Sequence, residues 1–226
     1  MSAITGTEPR TPPTPARFSG RATGVAALTA LTGLAVGAGL IFLLQFIPPT
    51  DAISPLRRTI SEYGLSANKG LFDAAVILVA GGSATLFAAH LPRRVLTAVP
   101  AVAGALWTVS LLVIVAFPKA DWAVGPSAGG VVHRIASVVG FLCLPAGILL
   151  ASGRVFPDSA VWRGIARWLG VASLLWFGVI LGAIARSALL GGRWWQVIPL
   201  GLVERGMALT EILAVATLAV PLLRRT

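Results

Sequence analysis

Six apolar runs separated by short polar segments order this chain, at residues 22–47, 70–91, 95–117, 129–152, 164–190 and 198–223. At about 1.5 Å per residue, each run taken as a helix reaches across the roughly 30 Å hydrocarbon core of a bilayer. Pro, Gly and Arg bound the runs, as they commonly bound spans; Pro48 and Pro49 close the first. The pattern predicts an all-α fold, a polytopic membrane bundle of six transmembrane helices over residues 21–226. Residues 1–20 are rich in Thr and Pro with almost nothing to bury, and are expected to form a disordered cytoplasmic tail. The first run is too long for a signal-peptide core and no small-residue cleavage pattern follows it closely, so it is expected to be retained.

Composition agrees with this reading. Of 226 residues, 56% are hydrophobic and 12% charged, which is a membrane composition and leaves no room for a separate soluble domain. The formal charge of +10 would suit nucleic acid if the basic residues formed a stripe, but they are dispersed between the apolar runs. There they set topology and meet anionic headgroups, so membrane lipids are the expected partners and nucleic acid is not. A second copy of the chain or another membrane protein is a further candidate partner. The single Cys143 lies within an apolar run and has no intrachain disulfide partner.

The basic residues divide ten against eight in favour of a cytoplasmic N-terminus, and six spans then place the C-terminus on the same side. The acids divide more sharply. Glu8 and Asp158 fall inside, whereas Asp51, Glu62, Asp73, Asp121, Glu204 and Glu211 fall outside or in the outer part of a span. Trp162 and Trp168 mark the inner interface, and Trp122, Trp194 and Trp195 the outer one. A multi-pass protein of the cell membrane with one chemically loaded face is the expectation.

Charges at membrane depth are the main candidates for function. Glu204, Arg205 and Glu211 interrupt the last span, and a charged side chain at the centre of a spanning helix costs about 2.5–3.5 kcal/mol on insertion scales. Glu204 and Glu211 share a helical face by their seven-residue spacing, while Arg205 points elsewhere and needs a partner from another segment. Asp73 and Glu62 are candidates for it. Glu211 is expected to pair with Arg134 or Arg186, or to sit as the neutral acid. The same groups form either an interhelical ion-pair network that locks the bundle or a site that binds a ligand or handles protons.

His133, one turn into the fourth span with Arg134 beside it and Ser137 on its own face, is either structural, donating to a carbonyl or carboxylate, or part of the site. His90 belongs at the opposite membrane face, so no His-rich metal site is expected, and no cofactor. No serine motif of the nucleophile-elbow type is present. The outer loop 48–69 is long for a connection and carries Ser61-Glu62-Tyr63-Gly64, which is expected either to fold over the bundle mouth as a turn in which Gly64 supplies an unusual backbone angle, or to be a solvated connector. Gly33 with Gly37 and Gly178 with Gly182 are expected to let the first and fifth spans approach neighbours closely.

Four short motifs, in order and all on the expected outer side, carry a resemblance: Ser61 to Gly64, Phe117-Pro118-Lys119-Ala120-Asp121, Gly130 to His133, and Gly201 to Arg205. With them the chain resembles the prokaryotic membrane family known as domain of unknown function 998. The resemblance implies a six-helix integral membrane protein and brings no substrate or mechanism. Membrane hydrolases similar to alkaline ceramidase also carry Ser, Asp and His in their spans, but this chain lacks their paired histidines.

Three functions follow as expectations. The preferred one is an outward-facing cavity lined by Ser61, Glu62, Tyr63, Asp73, Asp121, His133, Arg134, Glu204, Arg205 and Glu211 that binds or transports a lipid headgroup or small amphiphile. The alternatives are an intramembrane lipid-processing enzyme with His133 or Glu211 as general base, and a structural scaffold.

Overall fold

A computed structural model describes residues 20–224; the tail expected over 1–20 lies almost wholly outside the described residues. Among these, six helices are long and apolar enough to cross a bilayer, and there is no strand. They are α1 (Gly20–Leu43), α2 (Lys69–His90), α3 (Ala98–Ala116), α4 (Ala128–Val155), α5 (Ala160–Leu190) and α7 (Leu200–Thr217). A single turn, α6 (Trp194–Val197), precedes α7, and another, α8 (Val220–Leu223), continues its line. The last span is thus broken at Leu218 and Ala219, just ahead of Pro221, which has no N–H to continue the ladder. Serine hydroxyls at Ser127 and Ser159 accept backbone N–H groups at the starts of α4 and α5, the usual way of satisfying first-turn donors.

The helices pack in chain order, α1 on α2, α2 on α3, α3 on α4, α4 on α5 and α5 on α7, with α7 also reaching α2 and α4. Water cannot drive this association inside a bilayer, so close van der Waals contact must, and small residues permit it. At Gly33, Gly37 and Gly82 a side chain would meet the backbone carbonyls of Leu78, Ala75 and Ala30, so α1 and α2 touch almost backbone to backbone. Gly178 and Gly182 do not behave as expected. Both are exposed with nothing near them, because α5 turns Gly170 toward Pro145 and Leu149 of α4 and leaves the later pair on the outer surface.

Both ends of the described chain lie on one face, where His90 Nε2 bonds the Leu218 carbonyl at 2.9 Å and the Arg224 guanidinium lies over Trp162. The opposite face carries the 44–68 connection, the α3–α4 loop and α6, with Trp122 against Trp195. We call this the loop face. If the basic-residue bias sets orientation, then in a chain with Cys143→Ser, Asp121→Cys on the loop face will react with a membrane-impermeant maleimide from outside and Asp158→Cys on the terminal face will not; both positions are exposed. The reverse pattern would invert the topology.

Candidate functional site

The long loop folds over the bundle mouth, and α7 holds it there. Gly201, Glu204 and Arg205 lie at i, i+3 and i+4, hence on one face of α7, and all three grip the loop backbone. The Leu56 carbonyl accepts the N–H groups of Gly201 and Leu202, at 3.0 and 3.3 Å, which caps two first-turn donors of α7. Glu204 Oε2 accepts the N–H of Ile60 at 2.7 Å. Arg205 Nη1 donates to the carbonyls of Pro55 and Arg58, both at 2.9 Å, and to its own helix at Gly201, while Nη2 donates to the Tyr63 hydroxyl at 2.8 Å. Tyr63 is 0% exposed.

Among the described residues Arg205 therefore forms no salt bridge with a carboxylate. The pairing expected with Asp73 or Glu62 is replaced by loop carbonyls, since the folded-back loop has unpaired backbone acceptors that only a forked donor can serve several at a time. Asp73 pairs instead with Lys69, one turn away on α2. Glu62 is held by Lys119, whose side chain is 9% exposed, and by Arg58 at 3.6 Å. Lys119 also reaches Thr59 Oγ1 and lies 4.2 Å from the centre of the Trp122 ring. Lys119 was absent from the expected site; the signal for it was its place in the Phe117–Asp121 motif, opposite the loop acid.

Residues Ile60–Leu65 form a 3-10 helix rather than a turn built on glycine. Gly64 is not in the left-handed region. It matters for space, because a Cβ there would stand 3.1 Å from the Phe72 ring.

One turn into α4, His133 is 5% exposed and bonded at both nitrogens: Nδ1 to the Phe117 carbonyl at 2.8 Å and Nε2 to Ser61 Oγ at 3.0 Å. Gly130 makes this possible. The α3–α4 loop lies so close over it that a Cβ would meet Ala120 at 2.6 Å, which brings the end of α3 down to the histidine. A carbonyl only accepts, so Nδ1 carries the proton, and Nε2 of the neutral ring accepts the Ser61 hydroxyl.

The remaining expected residues lie apart. Glu211, 0% exposed, accepts from Ser173 Oγ of α5 at 2.9 Å and meets neither Arg134 nor Arg186, both of which are exposed. Its seven-residue spacing from Glu204 does not make one site, for it separates the two by about 10 Å along α7, and the side chains reach different elements, Ile60 of the loop and Ser173 of α5. Asp121 is exposed and accepts the Ala123 N–H within its own loop. The ion-pair network expected for Glu204, Arg205 and Glu211 is absent among the described residues; the pairs found are Arg58–Glu62, Lys69–Asp73 and Lys119–Glu62.

Beneath the loop is a cavity of about 250 Å³. Ser61, Glu204, Arg205 and Gln45 stand at its loop end, and its walls are apolar, with Phe72, Val76 and Val79 from α2, Trp107 and Leu111 from α3, and Ala208, Leu209 and Ile212 from α7. From Glu204 to Ile212 along α7 is about 12 Å. Phe42 on α1 and Leu209 on α7 both line the cavity yet are 63% and 55% exposed, which places its mouth between these helices on the lipid-facing side.

A family model described as a protein of unknown function, DUF998, matches residues 35–221. The chain belongs to the DUF998 family. No curated protein and no solved structure gives a significant match. The matched stretch of this DUF998 member contains every residue of the cavity wall, the loop that closes it and the Ser61–His133 pair.

Proposed function

We propose that this multi-pass membrane protein binds a single-chain amphiphile, or one chain of a lipid, in the cavity beneath its outer loop, with the polar group at Ser61, Glu204 and Arg205. The observation that carries the reading is the division of the cavity: an apolar barrel about two turns long capped by an acid, a base and a hydroxyl. Its volume is just below the roughly 300–1,000 Å³ common for small-molecule pockets, which suits one acyl chain better than a whole two-chain lipid. A mouth facing the lipid supports loading from the bilayer, and the loop, tied to α7 through Gly201, Glu204 and Arg205, supports a fixed cap on the outer side.

The test is equilibrium binding of a pyrene-labelled fatty acid to the protein in nanodiscs, with native mass spectrometry to read any co-purified lipid. Ala208→Trp fills the cavity from its wall and is expected to weaken binding about tenfold or more, equivalent to about 1.4 kcal/mol, with the melting temperature unchanged. Equal binding by this folded variant and the parent would place the ligand elsewhere.

A further inference from the structure

We propose that Ser61 is a nucleophile and His133 its general base, and that the protein cleaves acyl esters of the amphiphiles held in the cavity; this rests on the binding reading above. Three observations carry it. The Ser61 hydroxyl donates to His133 Nε2 at 3.0 Å, which is the contact a serine needs for its proton to leave as it attacks. The far nitrogen of the ring is fixed at 2.8 Å on the Phe117 carbonyl, so the ring is held in the tautomer that accepts at Nε2. Ser61 lines the cavity and His133 Nε2 adjoins its hydroxyl, an order that puts the nucleophile against the substrate and the base next to the reacting atoms.

Two neighbours support the pair. Glu204 holds the N–H of Ile60, the residue before Ser61, and thereby positions the serine backbone. Arg205 also lines the cavity, and its Nε–H is buried with no hydrogen-bond partner. The guanidinium stands with Ser61 at the loop end of the cavity, where its positive charge favours an ester oxygen gaining negative charge.

In the reaction, Ser61 Oγ bonds to the ester carbonyl carbon as its proton passes to His133 Nε2. The carbon–oxygen bond to the leaving alcohol then breaks, and His133 returns the proton to that oxygen, leaving acyl-Ser61. Water, giving a proton to His133, attacks the acyl carbon; the bond to Ser61 breaks and the serine recovers its proton. An ester and a water yield an acid and an alcohol.

The deciding experiment is covalent labelling of the full-length protein in nanodiscs by an alkyl fluorophosphonate, read by peptide mass spectrometry, with pyrene fatty-acid binding and melting measured in parallel. The expected result is one adduct, on Ser61, with labelling slowed about 100-fold or more in His133→Gln. Ser61→Ala should stay folded, as read by its melting, yet take no label; if that variant does not fold, Ser61→Cys, alkylated at residue 61 by a chloromethyl ketone amphiphile, replaces it. A folded parent that binds the fatty acid but leaves Ser61 unlabelled would overturn the nucleophile and leave the binding reading standing. Labelling at Ser61 unaffected by His133→Gln would overturn the dyad. Absence of fatty-acid binding by the folded parent would instead defeat the binding reading on which the substrate class depends.

Discussion

Replacing Arg205 with alanine is expected to lower stability by about 3 kcal/mol or more, read as a large fall in the melting temperature in detergent or nanodiscs. The guanidinium serves the carbonyls of Pro55 and Arg58 and the hydroxyl of Tyr63, which are otherwise left to the interior of the mouth. Hydrogen bonds from a charged donor contribute about 1.5–3 kcal/mol each, and an acceptor left buried and unpaired adds its own desolvation penalty. Arg205→Lys keeps the charge but offers no planar fork, so it should recover only a small part of the loss. Proteolysis within residues 55–63 should accelerate in both variants, because the loop loses its main tie to α7 while Glu204 still holds Ile60. A melting temperature equal to the parent's for Arg205→Ala would mean that the loop is held by something other than these bonds.

The helices were legible because a bilayer imposes one rule on every segment that crosses it: all backbone polar groups must be satisfied within the segment, which leaves long apolar helices as the solution here. The breaks were less so. The last run reads as continuous over 198–223, yet Pro221 divides it into α7 and α8. Within the site, the acids and bases of the loop face could be picked out as costly, but not their partners. Arg205 was expected to seek a carboxylate; it found backbone carbonyls, which every residue carries and no sequence pattern marks. Ser61 and His133 are 72 residues apart and neither sits in a recognisable catalytic motif, so only the folded loop brings them to 3.0 Å. Glycines illustrate the same limit. Gly33 and Gly178 look alike in sequence, each with a second glycine four residues on, and only packing distinguishes a contact from an open surface.

That difference gives a second large effect. Gly201 lies where the loop crosses α7, and a Cβ there would stand 2.5 Å from the Pro55 carbonyl oxygen and 3.0 Å from the Arg58 nitrogen. Neither is the flexible end of a side chain, so the loop itself must move away, and in moving it draws the Leu56 carbonyl off the Gly201 and Leu202 donors. Overpacking of this kind costs about 1–3 kcal/mol, and the lost caps add to it. Gly201→Ala is expected to lose about 2–4 kcal/mol of stability. Gly178→Ala and Gly182→Ala, with nothing within 4 Å, should be neutral or gain up to about 1 kcal/mol from helix propensity alone. The consequence extends to the site, since Gly201, Glu204 and Arg205 hold one stretch of loop and Ser61 follows it directly. Gly201→Ala should therefore also weaken the Ser61–His133 contact, seen as a shifted His133 imidazole resonance. A folded variant with that resonance unmoved would show that the loop end bearing Ser61 is anchored independently, by Glu62 on Lys119 rather than by α7.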